Sequence, residues 1–241
     1  MQVNAVIQAR MGSTRLPGKV LRELNGTPVL GWVIRALRSA THLDAIVVAT
    51  SSSSLDDPVE AYVRSLGIAC VRGSEHDVLG RFLAALGEAP ADAVVRITAD
   101  CPLIDPALVD QVIAAWRTDP RWDYVSTTLL RTLPRGLDVE LIRAETLREL
   151  DMLATGPHRE HVTSLVYTEP RRRRLLGLTV APPADDLRVT LDTEDDWALL
   201  SEIGSAFGDR IIDWRSLVDH LRARPDLVAI NADVIQRAVV S

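Results

Sequence analysis

The sequence predicts an α/β fold, a doubly wound sheet with helices on both faces. Three observations predict it. Short apolar runs alternate with longer amphipathic ones four times within about 115 residues, the pattern of successive strand–helix units. Runs such as AIVVATS (45–51) read as buried strands. Two stretches suited to chemistry, IQARMGSTRLPGKVL (7–21) and TADCP (98–102), follow strand ends. In such sheets ligands sit beyond the carboxyl ends of the strands, so both stretches face one crevice.

Residues 4–8, NAVIQ, read as the first strand. Residues 27–40 read as a helix: Thr27 caps it, Pro28 suits its first position, and Val29, Trp32, Val33, Ala36 and Leu37 recur at helical spacing. After the strand at 45–51, residues 56–67 read as a helix with an Asp cap and a closing glycine, and 68–73 as a strand. A helix at 77–88, a strand at 93–100 and a helix at 105–116 complete the regular part. The second half is less regular. Residues 123–128 and 137–142 look like strands, 144–154 and 157–170 like helices, and 173–181 and 187–192 like strands. Helices at 193–207, with Thr193 as cap and acids in its first turn, and at 213–225 close the chain.

The 241 residues suffice for one large domain, and no repeat or long linker divides them. Hydrophobic residues at 47% and charged residues at 25% are ordinary for a soluble globular chain. A net charge of −6 argues against bulk attraction to nucleic acid or anionic lipid, so any anion site must be a local cluster of cations. The run Arg171–Arg174 reads as a solvated loop or strand edge. Two distant cysteines, Cys70 and Cys101, argue against a disulfide scaffold or zinc ribbon. Without a secretory signal or a run of about 18 apolar residues, the expected setting is the cytoplasm, away from membranes.

The stretch 7–21 holds Arg10, Arg15 and Lys19, two glycines, a proline and no acid. It is suited to an anion. A Walker A loop is excluded: five residues separate Gly12 from Gly18, and Val20 stands where a magnesium-binding Ser or Thr is required. A dinucleotide fingerprint is excluded by the absent GxGxxG spacing. What remains is a nucleotidyltransferase loop, whose glycines let backbone N–H groups approach a triphosphate, or a basic surface turn.

IQARMGSTRLPGKVL closely resembles the signature of cytidylyltransferases that activate acidic sugars, the CMP-sialate and CMP-Kdo synthetases and, nearest, the SpsF-like spore coat polysaccharide branch. VVATS (47–51), RGSEHDVLGRF (72–82), VVRITADCPLIDP (94–106), DYVSTT (123–128), PRGLDVE (134–140), REHVT (159–163), LRVTLDTEDD (187–196) and AINADV (229–234) resemble the same branch in the same order. The resemblance implies a Rossmann-like fold of the nucleotide-diphospho-sugar-transferase type, a mixed, mostly parallel sheet sandwiched by helices. It implies a single domain, 1–241, with a nucleotide-binding half (1–120) and an acceptor-binding and dimerisation half (121–241). The implied reaction passes CMP from CTP to a sugar acid or phosphorylated acceptor and releases pyrophosphate, with Mg2+ as cofactor and a homodimer as the assembly.

The chemistry needs carboxylates at strand ends to hold magnesium. Asp100 ends an apolar strand, and Asp105, before Pro106, already serves as the next helix cap. Asp192 ends LRVTLD, and Thr193 can cap the following helix. By resemblance Asp100 and Asp192 are the metal ligands, while Asp195 and Asp196 decorate the first helical turn. The resemblance places Gln8, Ala9 and Arg10 at the base and ribose, and Gly12, Ser13, Arg15 and Lys19 at the triphosphate. Ser74, Asp77 and Arg81 close over the nucleotide. Arg15, Lys19 and Asp100 are the expected catalytic groups. Arg135, Asp138, Glu140, Arg159, Glu160 and His161 are the expected acceptor residues, with Arg135 or Arg159 clamping a carboxylate or phosphate. His158, Glu160 and His161 lack HExxH spacing, which argues against zinc. A glycosyltransferase of similar fold is the second possibility, but no DxD stands at Asp100. A non-catalytic nucleotide binder is the third, although the cations and carboxylates are all present.

Overall fold

The computed structural model describes residues 1–170 and 173–235. Arg171 and Arg172 of the arginine run lie outside them. β1 (Val3–Gln8), β4 (Ala45–Ser51), β5 (Ala69–Gly73) and β6 (Ala93–Thr98) form the parallel half of a seven-stranded sheet. Two short strands, β2 (Glu23–Leu24) and β3 (Thr27–Pro28), make a separate hairpin after β1. Helices α1 (Val29–Ser39), α2 (Asp57–Ser65), α3 (Val78–Glu88) and α4 (Pro106–Thr118) connect the strands. β7 (Tyr124–Ser126), β8 (Glu140–Arg143) and β9 (Leu175–Gly177) extend the sheet, in the order β5-β4-β1-β6-β8-β7-β9. β8 runs against both neighbours and the other pairings are parallel. The mixed, mostly parallel sheet matches the expectation.

Alternation along β1 divides the core. Ala5 and Ile7 face the layer that contains Leu30 and Ile34 of α1 and Val109 and Ile113 of α4. Val6, with Val47 of β4, faces Leu79 and Phe82 of α3 and Leu147 of α5 (Ala144–Leu153). Each such side chain contributes about 1.5–3 kcal/mol on full burial. The sheet is covered on both faces, and its carboxyl edge is left to loops.

Several expectations need correction. Thr27 and Pro28 are strand, not helix start: Asn25 and Gly26 both have positive φ and form the two-residue turn of the hairpin, so α1 begins at Val29. Asp56 does not donate a cap to α2, because its carboxylate turns inward. Residues 157–170 form two short helices, α6 (Pro157–Glu160) and α7 (Ser164–Thr168). Val162 breaks them apart at φ 40°, which swings the buried Thr163 hydroxyl toward Glu140. Residues 187–192 are extended but unpaired by any strand. Arg135 N–H donates to the Leu187 carbonyl (2.9 Å), Val189 N–H to the Arg135 carbonyl (2.7 Å) and Leu191 N–H to the Asp100 carbonyl (2.9 Å). Gly136 makes that approach possible, since a Cβ there would lie 2.6 Å from Thr190 N.

At the C-terminal end, α8 (Glu194–Phe207) opens with a reciprocal cap between Thr193 and Asp196. α9 (Trp214–Ala223), capped by Asp213, and α10 (Pro225–Ala229) follow. The expected strand at 173–181 shortens to β9.

Candidate active site

A cleft of about 820 Å3 opens over the carboxyl edge of β1 and β6. Its walls are the loop after β1, the end of β6, residues of the 128–140 segment, and Glu160, His161, Thr190 and Asp192. The loop is held from behind. Met11 N–H donates to Asp56 Oδ1 (2.7 Å), and the same carboxylate accepts from Thr50 Oγ1 and Ser51 N, each at 3.0 Å. Burial would raise the Asp56 pKa, but these hydrogen bonds hold it below the usual range. Ser13 and Gly18 N–H groups both donate to the Met11 carbonyl, and Leu16 and Val20 are buried. Gly18, at φ 73°, turns the chain so that Lys19 enters the cleft.

Lys19 is the centre of the site. Its Nζ lies 2.6 Å from Asp100 Oδ2, 2.7 Å from Asp192 Oδ1 and 2.7 Å from the Leu191 carbonyl. Burial alone would lower its pKa; the two carboxylates reverse the sign and hold it above its ordinary value. Burial pushes the Asp192 pKa up, but Lys19, Arg188 and Arg15 together hold it below its ordinary value. Arg15 Nη2 lies 3.0 Å from Asp192 Oδ2, and Arg188 Nη2 donates to the same oxygen at 2.9 Å. Asp196 braces this group. Fully buried, it accepts from Arg188 Nε (2.8 Å), Asp192 N (2.8 Å), Thr193 N (3.1 Å) and Asn231 Nδ2 (2.8 Å). Asp196 therefore does far more than decorate a helical turn.

The other expected residues divide by what they touch. Gln8, Ala9, Arg10, Gly12, Ser13, Arg81, Arg135, Asp138, Glu140, Glu160 and His161 all line the cleft. Ser74, Asp77 and Arg159 do not. Asp77 caps α3 and binds Arg159 bidentately (2.8 and 2.9 Å), and Arg159 also donates to Asp151. Ser74 offers its carbonyl to Arg81. Arg131 occupies both oxygens of Asp138, while Arg96, Tyr124 and Thr163 fill those of Glu140. Both carboxylates support the wall rather than present free acceptors. Arg10 reaches Glu160 at 3.3 Å and Glu75 at 3.5 Å. Arg135 has no side-chain acceptor among the described residues. Burial, and then the like charge of Arg131, lower its pKa. His161 is kept neutral more readily than an ordinary imidazole, because burial lowers its pKa. No group of three His, Cys, Asp or Glu able to hold a metal forms among the described residues.

The profile of the cytidylyltransferase family matches residues 4–146, more than half of the chain. The chain belongs to the cytidylyltransferase family. The spore coat polysaccharide biosynthesis protein SpsF of Bacillus subtilis is 33% identical over 92% of this chain and 94% of its own length. An 8-amino-3,8-dideoxy-manno-octulosonate cytidylyltransferase of Shewanella amazonensis is 36% identical over 50% of this chain and 49% of its own. Among solved structures, a cytidylyltransferase from Leptospira borgpetersenii superposes with a TM-score of 0.91 at 29% identity, covering 99% of this chain and all of the other. The nucleotide-sugar-transferase fold is thus that of the family.

Several residues of this cytidylyltransferase site were not singled out from sequence. Arg96 could have been: a charge inside the apolar run AVVRIT is a signal in itself. Asp56, Arg131, Arg188 and Asp196 carry no such mark. They sit where acids and cations are common, at helix starts and in loops, and only the partners they meet in the folded chain show what they do.

Proposed function

We propose that the protein transfers CMP from CTP to an acidic sugar or phosphorylated acceptor, with release of pyrophosphate, in polysaccharide or glycoconjugate biosynthesis. The observation that carries this reading is the convergence of Lys19, Arg15, Asp100 and Asp192 in a cleft that Arg135 also lines. Residues 1–120 supply the nucleotide side and residues 121–241 the acceptor side of one domain. Backbone N–H groups and cations of the loop after β1 hold the triphosphate. The acceptor hydroxyl attacks the α-phosphorus, the bond to the bridging oxygen breaks, and pyrophosphate leaves. Lys19 and Arg15 stabilise the charge that grows on the leaving group. His161, which lines the cleft, takes the hydroxyl proton in this reading. Arg135, whose side chain has no hydrogen-bond acceptor among the described residues, is the clamp for the acceptor's carboxylate or phosphate; Arg159 is already committed to Asp77 and Asp151.

The residues fit a divalent cation. Asp100 and Asp192 already converge on one positive atom, Lys19 Nζ, and magnesium is commonly held by one or two carboxylates together with substrate phosphates. When bound there, Mg2+ would neutralise phosphate oxygens. The test is to mix the protein with each nucleoside triphosphate, magnesium and a panel of sugar acids, and to follow pyrophosphate. Release is expected with CTP. Absence of binding by every nucleotide, CTP included, overturns the proposal.

A further inference from the structure

A largely buried ion pair, Arg96 and Glu140, forms part of the floor of the cleft, and transfer of CMP gives it no task. Arg96 on β6 stands in register between Val6 of β1 and Glu140 of β8. Its side chain is 14% exposed and that of Glu140 9%. Glu140 accepts from Arg96 Nη1, from the Tyr124 hydroxyl at 2.5 Å and from the Thr163 hydroxyl at 2.5 Å. Arg96 Nε in turn donates to Gln8 Oε1 at 3.1 Å.

That last contact fixes a polarity. A guanidinium N–H can only donate, so the Gln8 atom facing it must be the amide oxygen. Turning the amide over would set donor against donor. The Gln8 NH2 group is therefore directed away from Arg96, and no protein group accepts from it among the described residues, while Gln8 itself lines the cleft. Glu140 cancels the charge of Arg96, so this part of the floor offers a donor without net charge. It suits a neutral acceptor, a carbonyl oxygen or an unprotonated ring nitrogen. A carboxylate or phosphate is better served by Arg135.

We propose that Arg96 is a positioning residue: it locks the Gln8 amide in one orientation, as a donor that reads a lone pair on the nucleobase. The inference rests on the cytidylyltransferase reading and adds to it the device that sets the sense of one hydrogen bond. A ligand that presents an N–H at the same point would leave two donors facing each other.

The test is calorimetric titration with CTP and magnesium, paired with thermal melting, on wild type, Gln8→Met, Gln8→Glu and Arg96→Lys. Gln8→Met removes the donor and leaves the buried pair intact; it is expected to weaken CTP by about tenfold with little change in melting temperature. Gln8→Glu keeps an acceptor for Arg96 but turns the cleft-facing donor into an acceptor, and is expected to weaken CTP at least as much. Arg96→Lys keeps the charge beside Glu140 and loses the fork. If Arg96 acts through Gln8, adding Gln8→Met to it costs less than about twofold more, because the two changes remove one interaction. Paired replacement of Arg96→Met with Glu140→Met serves the same cycle if the lysine variant does not fold, since it leaves no lone buried charge. CTP affinity of Gln8→Met within twofold of wild type overturns the proposal, as does full additivity of the Gln8 and Arg96 effects. Failure of the wild type to bind any nucleotide would instead sink the cytidylyltransferase reading.

Discussion

Asp100 and Asp192 approach the same ammonium, but they are held in different ways. Asp100 follows β6, so the sheet itself aims it; among the described residues its carboxylate meets, apart from Lys19, a long contact with the Cys101 thiol at 3.6 Å. Asp192 lies on an extended segment that belongs to no strand. It needs Lys19, Arg15 and Arg188 on its oxygens and Asp196 on its backbone. A carboxylate at the end of a paired strand inherits its direction from the ladder. One on irregular backbone must be aimed by side chains, and those side chains need supports of their own. Here the supports reach as far as Asn231 of the AINADV stretch.

The sharpest way to break this contrast is to remove the brace. Asp196→Ala strips a fully buried carboxylate from Arg188 and is expected to destabilise the fold by about 3–5 kcal/mol in urea unfolding, as for other broken buried pairs. Next come the carboxylates themselves. Asp100→Asn and Asp192→Asn should each slow pyrophosphate release by about 10²–10³-fold, the scale of a lost electrostatic group in a transition state. Only Asp192→Asn should also shift the urea midpoint appreciably, because it alone faces Arg15 and Arg188. Equal shifts in the two variants would show that the strand and the brace do the same work.

Smaller effects sharpen the picture. Asn231→Leu removes a buried donor from Asp196 and is expected to cost about 1–3 kcal/mol of stability. It should also weaken magnesium-dependent CTP binding, measured by calorimetry, if the brace truly aims Asp192. The least is the acid response. Asp192 and Asp196 are both held below the ordinary carboxylate range, against burial, by Lys19 and Arg188 respectively. A depressed carboxyl adds stability that is complete above its unfolded value near ~4 and is lost as pH falls through the folded value. Unfolding free energy should therefore decline on the acid side, and Asp192→Asn should make that decline shallower.

Much of this was legible without coordinates. Strand and helix assignments for β1, β4, α3, β6 and α4 follow directly from apolar periodicity, and Asp105 is a helix cap as its position suggests; Asp77, read as closing over the nucleotide, caps α3 instead. The hairpin at 23–28 had its signal in Asn25-Gly26, which the adjoining helical spacing overrode. The segment 187–192 misled for a physical reason: Leu187, Val189 and Leu191 alternate inward as strand residues do, but the backbone that meets them is a loop kept close by Gly136. Burial alternation reports which side faces the core and says nothing about the hydrogen-bonding neighbour.

By itself the sequence determined the layered α/β order, the cation-rich, acid-free loop from Ile7 to Leu21, and the two carboxylates that complement it. Those are properties of local pattern and of residue type. The tertiary structure alone decided which cations stay free and which are spent. Lys19 meets Asp192 across 173 positions, Arg159 is taken by Asp77 across 82, and Arg135 lines the cleft with no side-chain acceptor among the described residues. Charge pairing acts over a few ångströms in space, and no distance along the chain encodes it.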